Sequence, residues 1–135
     1  MATQYSITRR TAVMNSLVTD IGVNAQIILY SGTIPANVAG AITGTLLAQF
    51  AGNATQFGTV TSGVLTASAV ASTTGAAGAG AGTVATHFRV NTSAGVAVSQ
   101  GTCAASGADM NLTNTSIASG QAVNFTSLTI TANGA

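Results

Sequence analysis

Few side chains in this chain could carry out acid–base or nucleophilic chemistry. His87 is the only histidine, and Asp20 and Asp109 are the only acidic side chains. Serine is abundant, yet no Gly-x-Ser-x-Gly sequence presents a nucleophile, and no local spacing links a serine to the histidine and an acid. Because a hydrolase needs all three groups, the sequence predicts no catalytic site and a protein that is not an enzyme.

Metal and cofactor sites are equally poorly supported by the residue types. Cys103 is the only cysteine, which excludes an internal disulfide and a cysteine-based zinc site. We expect it to be an inert residue of a core or loop. The alanine- and glycine-rich residues 71–82 lack the lysine of a phosphate-binding loop, and no helical pattern follows them. The sequence therefore predicts neither a metal nor a cofactor.

Charge is scarce along the whole chain. Arg9, Arg10 and Arg89 are the only strong bases, and charged residues make up 4% of the sequence against about 25% in a typical domain. Three arginines cannot neutralise the roughly six to ten phosphates of a DNA-binding surface, so we expect no nucleic-acid partner. An isolated soluble domain relies on surface charge, whereas so neutral a chain is typical of a packed assembly. The three arginines are our candidate partner contacts.

Neither a membrane segment nor a leader is expected. No run of 18 apolar residues occurs, and residues 1–4 lack the charged and apolar regions of a signal peptide. The sequence therefore predicts folding in a cytoplasm.

One stretch near the N terminus has helical periodicity. Its apolar residues recur at intervals of one, three and four, which places them on one face: Val13, Met14, Leu17, Val18 and Ile21. Ser6 or Thr8 could cap the start, and Gly22 suits the end. The pattern predicts one short amphipathic helix over about residues 7–21, with Arg9 and Arg10 in its first turn.

The rest of the chain has the signals of short β-strands. Residues 25–50 hold two apolar segments joined by a connection with glycine and proline, which predicts neighbouring strands at the centre of the core. Turn signals at Ser62-Gly63 and at residues 92–95 predict hairpins. A change of parity in the last strand predicts a bulge or a crossing near Thr126-Ser127.

Two further segments carry specific expectations. Residues 83–91 alternate so regularly that we predict a strand with one buried face and one solvent face, with His87 and Arg89 exposed. Residues 71–82 have no side chains large enough to pack, which predicts a flexible loop or an extended arm. A loop containing Cys103 is expected over residues 101–107.

Short strands at roughly eight-to-twelve-residue spacing favour an all-β class. We expect one domain over residues 1–135: a mainly β, antiparallel β-sandwich or jelly-roll-like fold with one short N-terminal helix. With so many small residues the core is expected to be thin, and association could supply missing burial.

The chain as a whole resembles small virion proteins of tailed bacteriophages that are encoded among the head genes. The segments that carry the resemblance are the N-terminal helix with Arg9 to Asp20, Ile28-Leu29-Tyr30-Ser31-Gly32 with Pro35-Ala36, Gly44-Thr45-Leu46-Leu47-Ala48, Phe88-Arg89-Val90, Ala94-Gly95-Val96-Ala97-Val98, and Asp109-Met110-Asn111-Leu112 continuing through Ile117, Gly120 and Val123 to Thr129-Ile130. These motifs are structural and transfer no active-site residue. Residues 71–82 depart from the family pattern.

The resemblance implies a capsid decoration, or cement, protein. Such a protein would fold in the cytoplasm of the host bacterium, associate with itself as a homotrimer and bind the outer surface of the major capsid protein lattice in the virion. The alternative is a tail-tip or fibre-associated virion protein that binds a host-surface glycan through Tyr30, His87 or Arg89.

Overall fold

The computed structural model of the protein describes residues 3–53, 56–67 and 72–133. The fold is mainly β with one N-terminal helix, as the sequence predicted. In chain order the elements are α1 (Ile7–Ile21), β1 (Gln26–Tyr30), β2 (Leu46–Ala51), β3 (Thr59–Thr61), β4 (Val64–Thr66), β5 (Thr73–Thr74), β6 (Thr83–Val84), β7 (His87–Asn91), β8 (Ala97–Ala104), β9 (Met110–Leu112), β10 (Ser116–Ile117), β11 (Ala122–Val123) and β12 (Phe125–Thr131).

Eight of the strands form one curled sheet in the order β2-β1-β7-β8-β9-β12-β4-β3. Two small sheets, β6 with β10 and β5 with β11, complete a β-sandwich-like fold. The neighbouring strands are antiparallel except β8 and β9, which pair in parallel over two residue pairs. The sheet is therefore mixed, where the sequence predicted antiparallel pairing throughout.

The inner face of the curled sheet surrounds the hydrophobic core. The largest fully buried apolar side chains on the strands are Ile27, Leu29, Leu47, Phe50, Leu65, Phe88, Met110, Leu112, Ile117 and Leu128. Helix α1 adds Met14 and Ile21 to the same cluster. Since burying such a side chain contributes about 1.5–3 kcal/mol, these positions dominate the stability of the fold.

Helix α1 begins and ends where the sequence predicted. The Ser6 hydroxyl accepts a hydrogen bond from the Arg9 backbone N–H at 3.2 Å, and the Gly22 N–H donates to the Val18 carbonyl. The helix packs against the β3–β4 hairpin, where the Thr11 hydroxyl accepts from the Gly63 N–H at 3.1 Å. Val13 is 44% exposed, because the docked face is centred on Met14 and Ile21.

The predicted pairing and turn signals are confirmed. Strands β1 and β2 pair directly within residues 25–50, Ser62-Gly63 joins β3 to β4 with both residues at positive φ, and residues 92–95 connect β7 to β8. The pairing of β12 with β9 shifts register between Phe125 and Ser127, which is the bulge that the parity change predicted.

Three local predictions are wrong, and the strand predicted over residues 83–91 is interrupted, since residues 83–84 form β6 in a separate two-stranded sheet and β7 starts at His87. His87 and Arg89 do not face solvent, because residues 31–45 cover that side of β7. Cys103 lies in β8, which continues through Ala104 where a loop was expected.

The third wrong prediction is the flexible loop or extended arm over residues 71–82. Residue 71 lies outside the described residues, and 72–82 are ordered: they contain β5, a 3-10 turn at Ala77–Ala79 and the buried Gly75. A Cβ at Gly75 would collide with the carbonyl oxygen of Ala118, so the small residues permit close backbone packing.

Candidate functional site

A loop over residues 31–45, here called the cover loop, lies on the outer face of strands β1, β7 and β8. Its two ends are joined by two hydrogen bonds. The Ser31 N–H donates to the Thr45 carbonyl at 3.0 Å, and the Thr45 N–H donates to the Ser31 hydroxyl at 3.0 Å. The ends of a compact surface loop that meet in this way define an Ω-loop, which commonly serves a function. The polar residues beneath the cover loop are therefore a candidate site.

Arg89 attaches the cover loop to the sheet. Its Nε donates to Gln100 Oε1 at 3.3 Å, and its Nη2 donates to the carbonyl oxygen of Gly40. Gln100 in turn donates from Nε2 to the Pro35 carbonyl at 2.7 Å. Arg89 is only 8% exposed, and within the described chain no acidic side chain pairs with it. Arg89 is thus engaged by the chain's own neutral oxygens.

His87 is fully buried beside this attachment. Its ring stacks on Tyr30 with centroids 5.5 Å apart and an interplanar angle of 22°. The Thr86 hydroxyl donates to the Gly32 carbonyl at 2.6 Å, so the 3.0 Å contact between Thr86 Oγ1 and His87 Nδ1 is donated by the histidine. Nε2 is then a bare acceptor without a partner. Burial, with a smaller effect of the nearby Arg89 charge, lowers the pKa of His87, so the ring is neutral.

The arrangement around His87 and Tyr30 is structural. Burial raises the pKa of the Tyr30 phenol, against a smaller lowering effect of Arg89. No carboxylate orients the imidazole in the described structure, and the cover loop separates the ring from solvent. The imidazole has neither the oriented base geometry nor the access that a catalytic histidine requires.

The two acids lie apart from the histidine in different roles. Asp109 Oδ2 accepts from the Thr102 N–H at 2.9 Å and from the Thr102 hydroxyl at 3.0 Å, which holds the β8–β9 connection. Asp20 is exposed in the last turn of α1. Over residues 3–53, 56–67 and 72–133, no three His, Cys, Asp or Glu side chains lie together as metal ligands would.

The exposed surface of α1 brings together the remaining charged groups. A shallow depression on the exposed face of α1, here called the groove, is lined by Arg9, Ala12, Val13, Ser16, Leu17 and Asp20 together with the buried Met14. Arg10 instead is half-buried, with its Cβ close to Gly63 of the β3–β4 turn. Of the three arginines proposed as partner contacts, only Arg9 therefore combines exposure with freedom from the chain's own packing.

The sequence contains a helical spacing that indicates this groove, but the stronger apolar pattern of α1 masks it. Arg9, Val13, Ser16 and Asp20 recur at intervals of four, three and four, the spacing of a helix–helix contact. Val13 was predicted to share a face with Met14 and Ile21, yet it is exposed. Two of its neighbours on that surface, Arg9 and Ser16, are charged or polar, so hydropathy alone does not find this second stripe.

Apolar side chains are exposed elsewhere too. The large ones among the described residues are Tyr5, Ile7, Val13, Val23, Leu46, Val84 and Val96. Three of these seven belong to α1 or directly precede it. The N-terminal helix is accordingly the part of the surface that is richest in both uncovered apolar groups and charge.

No helix of the described structure combines the length and the apolar character needed to cross a membrane. Compared with models of protein families, with curated proteins and with solved structures, the chain matches none.

Proposed function

We propose that the protein is a bacteriophage capsid decoration protein that binds and stabilises the outer surface of the major capsid lattice. The observation that carries the proposal is the near-neutral surface. Arg89 is buried under the cover loop and Arg10 is half-buried, which leaves Arg9, Asp20 and Asp109 as the exposed charged side chains of the described chain.

Such a surface suits close packing on a shell. Copies with almost no exposed charge do not repel one another when they are crowded. The uncovered apolar side chains, including Val84 and Val96 away from the helix, provide contact area. Each contact can be modest, because a lattice repeats it many times and avidity replaces strong single interfaces.

The buried polar groups fit the same role. A binding or catalytic protein usually presents its histidine and arginine to a ligand, whereas His87 and Arg89 here hold the chain's own loop in place. The alternative, glycan recognition at a tail tip through Tyr30, His87 or Arg89, loses two of its three residues to burial. Association as a homotrimer is implied by the family resemblance alone, whereas the charges on helix α1 favour a two-fold pairing of copies.

The test is binding to capsids. Purified protein is added to particles that lack it and sedimented with them, and tails purified separately serve as the control. We expect saturable binding to capsids at a fixed ratio to the major capsid protein and a higher temperature of capsid rupture. Binding to tails alone, or no effect on rupture with full occupancy, would overturn the proposal.

A further inference from the structure

We propose that the groove of helix α1 binds the same groove of a second copy, with the two helices antiparallel around a two-fold axis. The interface consists of Arg9, Ala12, Val13, Ser16, Leu17 and Asp20, and the partner is this chain itself. The inference does not depend on the capsid role.

The charges at the two ends of the groove make it self-complementary. Arg9 lies in the first turn of α1 and Asp20 in the last, about 17 Å apart along the axis. In a two-fold contact, residue i of one copy meets residue j of the other and the reverse also holds. An antiparallel pair centred between Met14 and Asn15 therefore places each Arg9 opposite the other copy's Asp20.

The helix dipole supports the same orientation. A cation at a helix N-terminus and an anion at its C-terminus are each unfavourable, and α1 has no acidic residue in its first turn and no basic residue in its last. Both charges therefore oppose the dipole of their own helix. Beside an antiparallel neighbour, Arg9 meets the negative end of that neighbour's dipole and Asp20 meets the positive end.

Side-chain sizes match in the same register. The two-fold axis that places Arg9 opposite Asp20 of the other copy also places Val13 opposite Ser16 and Leu17 opposite Ala12. Each larger apolar residue thus faces a small one, which allows helices to pack closely. Val13 is 44% exposed in the single chain, so the contact would cover apolar surface that the fold leaves open.

The predicted dimer is weak. The contact between two helices about 22 Å long buries less surface than the roughly 1,600 Å² interface of stable complexes. We expect a concentration-dependent monomer–dimer equilibrium, best measured by sedimentation up to about 1 mM protein.

Charge reversal and charge exchange test the pairing. Arg9→Asp places like charges opposite each other twice per dimer and should raise the Kd about tenfold, and Asp20→Arg should do the same. The double variant restores opposite charges and should return the Kd to within about threefold of the original. The controls are Thr8→Asp and Thr19→Arg, which change exposed positions of the same helical turns outside the groove. Both should leave the Kd unchanged.

A second measurement is independent of charge. In a background with Cys103→Ser, chains with Val13→Cys mixed with chains with Ser16→Cys should form disulfide-linked dimers faster than either chain alone. The proposal would be overturned by a protein that stays monomeric at about 1 mM, or by a trimer whose stability is insensitive to Arg9→Asp. It would also be overturned if the double variant had a Kd as high as the single reversals, or if chains with the same cysteine crosslinked faster than the mixture.

Discussion

Gln100 donates a hydrogen bond from Nε2 to the Pro35 carbonyl at 2.7 Å while its Oε1 accepts from Arg89. One side chain thereby joins strand β7, strand β8 and the cover loop. The charge of Arg89 is stabilised by oxygens of the loop and of Gln100, so the polar residues beneath the loop serve its attachment.

Removing the guanidinium should weaken the fold. Arg89→Ala leaves the Gly40 carbonyl and Gln100 without their donor in a covered site, and we expect the free energy of unfolding to fall by about 2–3 kcal/mol in urea titrations. Arg9→Ala, at an exposed arginine, is the control and should stay within about 0.5 kcal/mol at low protein concentration. Equal effects of the two changes would contradict the attachment role.

The buried imidazole should make stability depend on pH. The pKa of His87 is lowered in the fold, so between the ordinary value near 6.5 and that lower value the unfolded chain binds a proton that the folded chain does not. The free energy of unfolding should therefore fall as pH drops below about 6.5, by at most about 1.4 kcal/mol per unit. Chemical denaturation at successive pH values measures the slope.

Because His87 is the only histidine, His87→Gln is a clean control for this slope. The variant should show no change in stability across the same pH interval, although its overall stability is lower. A slope that persists in the variant would assign the titration to another group.

The β3–β4 turn should be sensitive to a methyl group for two separable reasons. Gly63 has φ +79°, and a Cβ there would lie 2.7 Å from Arg10 Cβ on helix α1. Gly95 has φ +85° with nothing within 4 Å of such a Cβ. Gly95→Ala should thus cost about 1 kcal/mol from backbone strain alone, and Gly63→Ala at least about 1 kcal/mol more. Thermal unfolding measures both, and equal losses would mean that the helix does not press on this turn.

The thiol of Cys103 should be inert in the folded protein. Burial raises its pKa to about 12, so almost no thiolate exists near pH 8. Ellman's reagent should react only after denaturation, whereas a thiol introduced by Ser106→Cys at an exposed position should react at once. Reaction of native Cys103 on the same timescale would contradict its placement in the core.

The sequence was informative where local patterns determine structure. Helix α1 was predicted with its bounds, because Ser6 caps it and its apolar spacing is helical. The Ser62-Gly63 turn and the bulge beside Thr126 were found for similar reasons: positive φ and side-chain parity are properties of neighbouring residues.

Long-range packing accounts for what the sequence missed. The alternation of β7 correctly separates its two faces, but burial of the His87 face depends on a loop that starts about 55 residues earlier. The order of residues 72–82 depends on close backbone contacts with Ala118, which hydropathy does not register. The groove on α1 was hidden because four of its residues are charged or small, namely Arg9, Ala12, Ser16 and Asp20.

The central claim, that this protein covers a capsid, is tested most directly by its copy number in purified phage particles relative to the major capsid protein. We predict hundreds of copies per particle at a fixed ratio to the capsid subunit, retained on heads separated from tails. A handful of copies that remain with the tails, or absence from the purified particle, would contradict the account.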